Sequence, residues 1–244
     1  MKKDLNKSQI KRFSRQLVLK NIGPKGQKKI LSSKILIVGV GGLGCPAAEN
    51  LVRAGVGTIG LVDNDIVNLS NIHRQSLFNS KDVKKLKVSV AAKKLKEINP
   101  LTKIKTYKSR LTKKNIEDII KNYEIIIDGS DNFKTKFLIN DYCLKLKKKL
   151  ITGAISKFDG HIFTFDFKDK KTASLKNFYQ EKEISEDILN CEFEGVLGTT
   201  ASIVGTTQAN EALKMIVKIG QNLKNQILII DMLNLNFRKV KFKK

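Results

Sequence analysis

Residues 35–44 read Ile-Leu-Ile-Val-Gly-Val-Gly-Gly-Leu-Gly, an apolar run that ends in the pattern G-x-G-x-x-G at Gly39, Gly41 and Gly44. Glycines at a strand-to-helix junction let backbone N–H groups approach a phosphate, and the start of the helix adds favourable partial charge. The next predicted strand ends at Asp63, 19 residues after Gly44, where a carboxylate can accept both hydroxyls of an adenosine ribose. This unit predicts half of a nucleotide-binding fold, and by itself it fits an NAD-binding domain equally well.

Apolar strands and amphipathic helices alternate along most of the chain. The predicted strands lie at 35–40, 58–62, 103–107, 125–127, 150–154, 161–167, 226–231 and 235–242. The predicted helices lie at 8–19, after Pro24, up to Arg53, at 83–98, from Thr112, from Phe133 and at 199–219. The fold class is therefore α/β: a Rossmann-like, mainly parallel sheet with helices on both faces and an antiparallel C-terminal extension.

We predict a single domain over residues 1–244, because a chain of 244 residues can bury one substantial core. Its predicted parts are N-terminal helices (1–33), a nucleotide-binding core (34–155), a mobile crossover loop (168–194) and a C-terminal helix with strands (195–244). The loop is predicted because the sequence there turns polar and weakly patterned.

The composition favours a cytoplasmic protein without a membrane span. No apolar run approaches the roughly 20 residues that a membrane helix needs. Asp4, Asn6 and Ser8 interrupt the stretch that a signal peptide would require to be apolar. The net charge of +24 would suit a polyanion, but the lysines are spread through nearly every segment without interleaved aromatic residues. Nucleic-acid binding is therefore the weaker interpretation, and an acidic protein partner also suits such a surface.

The stretch after Asp63 is rich in groups that bind phosphate. Arg74 and Lys87 provide two cations, which suit the β- and γ-phosphates of a triphosphate and the charge on pentavalent phosphorus in a transition state. The other polar residues of interest here are Asp65, Asn71 and Gln75. Alone, Arg74 would more simply be a surface ion-pair residue, but its neighbours favour a triphosphate site.

Asp131 and Asn132 follow the apolar strand 125–127, at the edge where open α/β sheets bind ligands. Mg²⁺ prefers one or two carboxylates together with phosphate oxygens, so Asp131 is a candidate Mg²⁺ ligand. By spacing, Asp131 is an equally good cap for the helix that starts near Phe133. The two roles are compatible.

These residues together resemble the ThiF/MoeB/HesA family, the bacterial relatives of ubiquitin-activating enzymes. The resemblance extends over nearly the whole chain. The matching motifs are R-F-S-R-Q at 12–16, the glycine motif at 39–44, Asp63, S-N-I-H-R-Q at 70–75, Lys87, D-G-S-D-N at 128–132 and G-V-L-G at 195–198. Their shared order is much more specific than the glycine motif alone.

The resemblance implies ATP and Mg²⁺ as cofactors and gives roles to individual residues. The implied catalytic residues are Arg15, Arg74, Lys87 and Asp131, the last as the Mg²⁺ ligand. The residues implied to bind the nucleotide are Gly39, Gly41, Gly42, Gly44, Asp63, Asp65, Ser70, Asn71, Gln75 and Asn132. Arg15 would reach into the site of a neighbouring subunit, which implies a homodimer.

The reaction implied by the resemblance is ATP-dependent adenylation of a ubiquitin-like sulfur-carrier protein that ends in Gly-Gly. The carboxylate of its C-terminal glycine would attack the α-phosphorus, giving an acyl adenylate and pyrophosphate for thiamin or molybdopterin biosynthesis. A sulfurtransferase or a cysteine desulfurase would be a further partner.

The three cysteines carry different expectations. Cys191 matches the position at which some family members form a covalent link to their carrier, so its thiolate could accept the activated carboxylate or exchange sulfur. An inert cysteine is the alternative, and both stay open. Cys45 begins a helix, where its pKa could be lowered, although packing is the favoured interpretation. Cys143 is interpreted as a helix core residue.

The chain departs from its family in the residues that bind zinc. Many members hold zinc with two C-x-x-C pairs, but here 174–177 reads Ser-Leu-Lys-Asn where the first pair would lie, and the second pair is also missing. We therefore expect no zinc and a loop less rigid than in zinc-binding members. The departure leaves the choice between the thiamin and molybdopterin branches open.

Two other functions compete with carrier adenylation. An NAD-dependent oxidoreductase needs a proton donor beside its substrate, and His73 and His161 fit that role poorly. An ATP-dependent tRNA-modifying dehydratase of the same superfamily would suit the positive charge. Carrier-free ATP consumption that depends on tRNA would identify it.

Overall fold

A computed structural model describes residues 4–179 and 195–242. Its helices are α1 Lys7–Leu17, α2 Gly23–Ser32, α3 Gly44–Ala54, α4 Lys87–Ile98, α5 Ile116–Ile120, α6 Phe133–Lys145 and α7 Gly198–Val217. Its strands are β1 Lys34–Val38, β2 Thr58–Val62, β3 Lys103–Tyr107, β4 Ile125–Asp128, β5 Lys149–Ser156, β6 Asp159–Asp166, β7 Gln226–Asp231 and β8 Asn236–Lys241. In these two described stretches, no helix combines the length and apolar character needed to cross a membrane.

The strands form one sheet in the order β3-β2-β1-β4-β5-β6-β7-β8. From β3 to β5 neighbouring strands are parallel, and from β5 to β8 they are antiparallel. Parallel strands need long crossovers, which helices supply, whereas antiparallel strands can follow one another through tight turns. The predicted fold class is confirmed, including the antiparallel C-terminal extension.

Alternate residues of each central strand enter different hydrophobic clusters. Ile35 and Ile37 of β1 pack with residues of α3, α4 and α7, whereas Leu36 and Val38 pack with residues of α5 and α6. Because successive side chains of a strand point to opposite faces, these clusters are the two faces of the sheet. Helices therefore cover both faces, and the central strands are apolar throughout, as in buried parallel sheets.

The strand order of the sheet changes direction between β1 and β4, which are parallel neighbours. Strands β2 and β3 lie on one side of β1, and β4 and β5 lie on the other. The connections that leave β1 and β4 therefore diverge and open a crevice at the carboxyl ends of the strands, the usual binding position in this kind of sheet. The glycine motif follows β1, and Asp131 follows β4.

Helix α4 begins at Lys87 instead of near Val83. Lys84 has a φ of 68°, and its N–H donates to the carbonyl of Val67. Leu86 then forms an antiparallel bridge with Ile66. These pairings hold residues 83–85 in a turn and Leu86 in a bridge, so that the helix begins only at Lys87.

The first part of the predicted mobile loop is packed against the domain. Leu175, in a short 3₁₀ helix, is 1% exposed, and its N–H donates to Asn140 Oδ1 at 3.0 Å. The N–H of Ala173 donates to Asn225 Oδ1 at 2.9 Å. Tyr179 packs edge-on against Phe163 and Phe133. Residues 168–179 thus pack against the domain, the mobility of the loop stays a prediction, and the rest of the predicted loop, 180–194, lies outside the described residues.

Replacing Leu175 tests this packing. Leu175→Ala should lower the free energy of unfolding by about 2–5 kcal/mol, because it removes buried methyl groups and leaves a cavity. Leu233→Ala is the matched control, since Leu233 is 68% exposed and its truncation should change stability by less than about 0.5 kcal/mol. Chemical denaturation measures both. Equal, small effects would contradict the packing of this segment.

Candidate functional site

The glycine motif forms a turn that only glycine can occupy at two positions. Gly39 has a φ of +84°, and a Cβ placed on it would lie 2.8 Å from the carbonyl oxygen of Gly129. A Cβ on Gly44 would lie 1.9 Å from the carbonyl oxygen of Gly39. The first glycine therefore supplies a left-handed backbone and the last a close approach within the turn. Together they bring the start of α3 directly onto the turn that follows β4.

Gly41 and Gly42, in the middle of the motif, have side chains and not backbone as their nearest neighbours. The nearest atom that a Cβ on Gly41 would meet in the described part of the chain is Gln75 Nε2, at 3.6 Å. One on Gly42 would lie 3.2 Å from the Cβ of Ala201 and 3.6 Å from Arg74 Cγ. The exposed backbone of the turn is therefore bordered by Arg74 on one side and by the first turn of α7 on the other.

Asp63 is held against the same turn. Its Oδ2 accepts a hydrogen bond from the N–H of Val40 at 2.7 Å, and its Oδ1 accepts one from the N–H of Asp65 at 2.8 Å. A carboxylate has about four lone-pair positions, so both oxygens keep capacity for further donors. The carboxylate thus lies at the carboxyl end of β2 with room for the two hydroxyls of a ribose.

Arg74 is oriented by its own loop. Its Nη1 donates to the carbonyl of Ser70 at 2.9 Å and lies 2.8 Å from His73 Nε2. Asn71 shapes this loop, because its Oδ1 accepts from the N–H of Asn68 at 3.3 Å and closes the 3₁₀ turn Leu69–Asn71. Within residues 4–179 and 195–242, the bonds of Arg74 both involve Nη1, so Nε and Nη2 can meet an anion beside Gly42.

Lys87 is a buried cation at the start of α4. Its side chain is 8% exposed, and its Nζ lies 3.1 Å from Oδ2 of Asp65, whose side chain is 58% exposed. Because the Asp65 side of this ion pair is open to water, the positive charge of Lys87 can also act on a bound phosphate. The N–H of Asp65 in turn donates to Oδ1 of Asp63 at 2.8 Å, which places Lys87 beside the carboxyl end of β2.

The cysteines in the described stretches have structural surroundings. Cys45 is fully buried, and burial raises the pKa of its thiol to about 12 despite its position at a helix start. Cys45 belongs to the hydrophobic core, which confirms the favoured interpretation, packing. Burial likewise raises the pKa of Cys143, which is a core residue of α6 as predicted. Cys191 lies outside the described residues.

The turn after β4 bears on the two roles considered for Asp131, which are capping of α6 and binding of Mg²⁺. Asn132, and not Asp131, is the N-cap of α6, since its Oδ1 accepts from the N–H of Thr135 at 2.9 Å. Asp131 is exposed, and its Oδ1 accepts from Asn132 Nδ2 at 3.1 Å. An exposed carboxylate at this edge fits the oxygen donor that Mg²⁺ prefers.

A buried polar atom borders the glycine turn. Gln75 is 4% exposed, and its Oε1 has no hydrogen-bond partner among the described residues. Its Nε2 lies on the side of Gly41. Buried polar atoms are normally satisfied, so an orphan at this place fits a site completed by a ligand or a water.

Arg15 lies apart from these residues. It lines a cavity of about 430 Å³ together with Arg12, Arg53, Asn50 and Asn210, and no residue of the glycine turn lines that cavity. The structure therefore brings together the predicted residues of β1, β2, β4 and α4, and it leaves Arg15 outside that group.

A polar network beneath the site was not predicted from the sequence. Asp128, at the end of β4, is 0% exposed and pairs with Lys136 of α6, which is 5% exposed. Thr152 and Gln208 also donate to Asp128. The signal available in the sequence was an aspartate directly after three isoleucines, since buried charges are rare unless they are paired.

The switch point, the glycine turn and the acidic strand end define a nucleotide-binding α/β protein of the doubly wound class. The sequence profile of the ThiF family matches residues 13–244. The chain belongs to the ThiF family.

Curated relatives match the chain over most of its length. It is 40% identical over 237 residues to a Gracilaria tenuistipitata protein named "Probable molybdopterin-synthase adenylyltransferase", covering 97% of this chain and 66% of the relative. It is 37% identical to the "Sulfur carrier protein adenylyltransferase" of Thermus thermophilus, covering 96% of this chain and 88% of the relative. The chain thus spans about two thirds of one relative and most of the other.

The fold is also found in solved structures. The crystal structure of selenomethionine PaaA has a TM-score of 0.83 and 21% sequence identity, and the match covers 100% of this chain and 76% of that one. At this identity the likeness supports the fold alone.

Substitutions in the glycine motif should separate binding from folding. Gly41→Ala should leave stability close to that of the wild type, because no atom of the described residues lies closer than 3.6 Å to the added Cβ. It should weaken ATP binding by about tenfold or more, since the methyl group keeps the phosphate from the backbone N–H groups. Isothermal titration calorimetry measures the affinity.

Gly44→Ala is the matched comparison. The added Cβ would lie 1.9 Å from the Gly39 carbonyl oxygen, so this variant should lose stability by about 3 kcal/mol or fail to fold. If Gly41→Ala bound ATP as tightly as the wild type, the glycine turn would not be the phosphate site.

Proposed function

We propose that this protein adenylates the C-terminal carboxylate of a ubiquitin-like sulfur-carrier protein at the expense of ATP. The observation that carries the proposal is the convergence of Arg74, Asp63 and the glycine turn at one edge of the sheet, beside the turn that holds Asp131. Membership of the ThiF family and the adenylyltransferase names of its relatives support it. An oxidoreductase does not need a second cationic residue beside the phosphates.

In the proposed reaction, a carboxylate oxygen of the carrier attacks the α-phosphorus of ATP. The new O–P bond gives an acyl adenylate, and the bond to the β-phosphate oxygen breaks to release pyrophosphate. Negative charge grows on the oxygens around phosphorus and on the leaving pyrophosphate. The protein's part is to orient the reactants and to neutralise this charge.

The site residues have distinct proposed parts in this step. The backbone N–H groups of Gly41 and Gly42 bind phosphate oxygens, and Asp63 accepts from the ribose hydroxyls. Arg74 and Lys87 place positive charge on the phosphate chain. Asp131 would hold Mg²⁺, which supplies further charge neutralisation on phosphate oxygens.

The partners follow from the proposed reaction. The carrier ends in Gly-Gly, so that its tail is thin enough to reach the nucleotide, and its pathway is thiamin or molybdopterin biosynthesis in the cytoplasm. A sulfurtransferase or cysteine desulfurase would then replace AMP with sulfur. Cys191 either takes part in that later step or is inert, and a Cys191→Ser variant separates these roles.

Exchange of labelled pyrophosphate into ATP tests the function. With Mg²⁺ and a Gly-Gly-ending carrier, the wild type should catalyse carrier-dependent exchange. Asp131→Ala should lower the exchange rate by about 100-fold or more, because an interaction needed in the transition state is lost. Asp118→Ala is the control, since Asp118 is an exposed residue of α5 that pairs only with Lys121 among the described residues.

The competing outcome is equally specific. Exchange that no carrier stimulates, together with ATP consumption that depends on tRNA, would replace carrier adenylation by the dehydratase function.

We also propose that the active unit is a homodimer in which Arg15 acts in the partner's site. Arg15→Ala and Asp131→Ala should each be inactive as pure dimers. Mixed and re-associated, they should regain about one quarter of the wild-type activity, because half of the dimers are mixed and each contains one intact site. Measuring exchange after mixing checks this, and no recovery would contradict action across the interface.

A further inference from the structure

The carboxylate of Asp128 accepts four hydrogen bonds although it is fully buried. Oδ1 accepts from the N–H of Ser130 at 2.9 Å and from its Oγ at 2.6 Å. Oδ2 accepts from Thr152 Oγ1 at 2.5 Å and from Lys136 Nζ at 3.2 Å. Every lone-pair position of this carboxylate is therefore used, which fixes its orientation.

The same network ties four elements together. Lys136 of α6 also donates to the carbonyl of Gly153 in β5 at 2.6 Å. Gln208 of α7 donates to the backbone carbonyls of Asp128 and Ile151 at 2.9 and 3.3 Å. A Cβ on Gly153 would lie 2.9 Å from Gln208 Cδ, so only glycine leaves space for this amide.

The network ends on the turn that carries Asp131. Ser130, which Asp128 holds by two bonds, is the residue directly before Asp131. Gly129, on the other side of Ser130, touches the glycine turn, because a Cβ on it would lie 3.2 Å from the N of Gly44. The buried pair therefore fixes the backbone between the phosphate turn and the exposed carboxylate.

Stability alone does not explain a buried ion pair at this place. Replacing such a pair with neutral groups of similar volume is often neutral or stabilising, whereas removing one partner leaves a costly buried charge. Groups that orient a ligand from behind commonly change metal affinity or activity by about 10- to 100-fold when they are altered. The position beneath Asp131 suits that second role.

We propose that Asp128 and Lys136 are positioning residues that hold the Ser130–Asp131 turn so that the Asp131 carboxylate can bind Mg²⁺ together with ATP. This inference rests on the proposed function. It adds residues that touch neither ATP nor carrier and that act only through the turn.

The test removes both charges together. Asp128→Asn/Lys136→Met should fold with a melting temperature close to that of the wild type, because no charge is left unpaired. It should bind ATP without Mg²⁺ as tightly as the wild type. The strengthening of ATP binding by Mg²⁺ should fall by about 10-fold, and the Mg²⁺ concentration for half-maximal exchange should rise by a similar factor.

A second ion pair provides the matched control. Asp82 and Lys94 also form a close pair with little exposure, in the part of the fold around α4. Asp82→Asn/Lys94→Met should change neither Mg²⁺ dependence nor ATP affinity. The single variant Lys136→Arg keeps the positive charge opposite Asp128. It should therefore retain most of the wild-type response to Mg²⁺.

Ser130→Ala keeps the proposal testable if the double variant does not fold. It removes only the hydroxyl bond to Asp128 and should raise the Mg²⁺ requirement by about threefold, a smaller change than the full effect expected of an orienting group. A wild-type Mg²⁺ response in either folded variant would overturn the positioning role.

Nucleotide binding separates this failure from failure of the proposed function. Calorimetry with ATP, with and without Mg²⁺, requires no carrier and no turnover. Absence of carrier-dependent exchange in the wild type would refute the adenylation proposal, while the Mg²⁺-dependent change in ATP binding would still decide the role of Asp128 and Lys136.

Discussion

The site depends on one close contact between two backbone turns. Gly44 lies so near the Gly39 carbonyl that no side chain fits between them, and Gly39 in turn touches the carbonyl of Gly129. The turn after β1 and the turn after β4 are thus packed backbone to backbone. Because neither turn can move without the other, the N–H groups proposed to bind phosphate and the carboxylate of Asp131 keep a fixed relation.

Helix α7 borders the site along the glycine turn and the loop of Arg74. Its small residues make this possible: a Cβ on Gly205 would lie 2.3 Å from the carbonyl of Leu43, and Ala201 packs on Gly42. The start of the helix is pressed onto the loop of Arg74, since a Cβ on Gly198 would lie 2.4 Å from the His73 carbonyl. Ala201, 159 positions after Gly42 in the chain, thereby borders the glycine turn.

Most of the fold and the turns that carry the candidate site residues could be predicted from the sequence, because both rest on local patterns. The strand at 58–62, the G-x-G-x-x-G turn and the start of α6 are each specified by a few consecutive residues. The helix start at Lys87 was missed, since it depends on pairing between residues 66–67 and 84–86. The capping role was given to Asp131 because spacing alone cannot distinguish adjacent residues of similar propensity.

The Asp128 network was beyond sequence reasoning for a different physical reason. Its members lie on β4, α6, β5 and α7, and no local pattern links Asp128 to Gln208, 80 residues later. A charged residue in a buried strand indicates only that a partner must exist, and tertiary packing determines which residue that partner is. Local patterns therefore identify the candidate nucleotide-binding residues, whereas the groups that hold those residues in place depend on how the strands and helices pack in space.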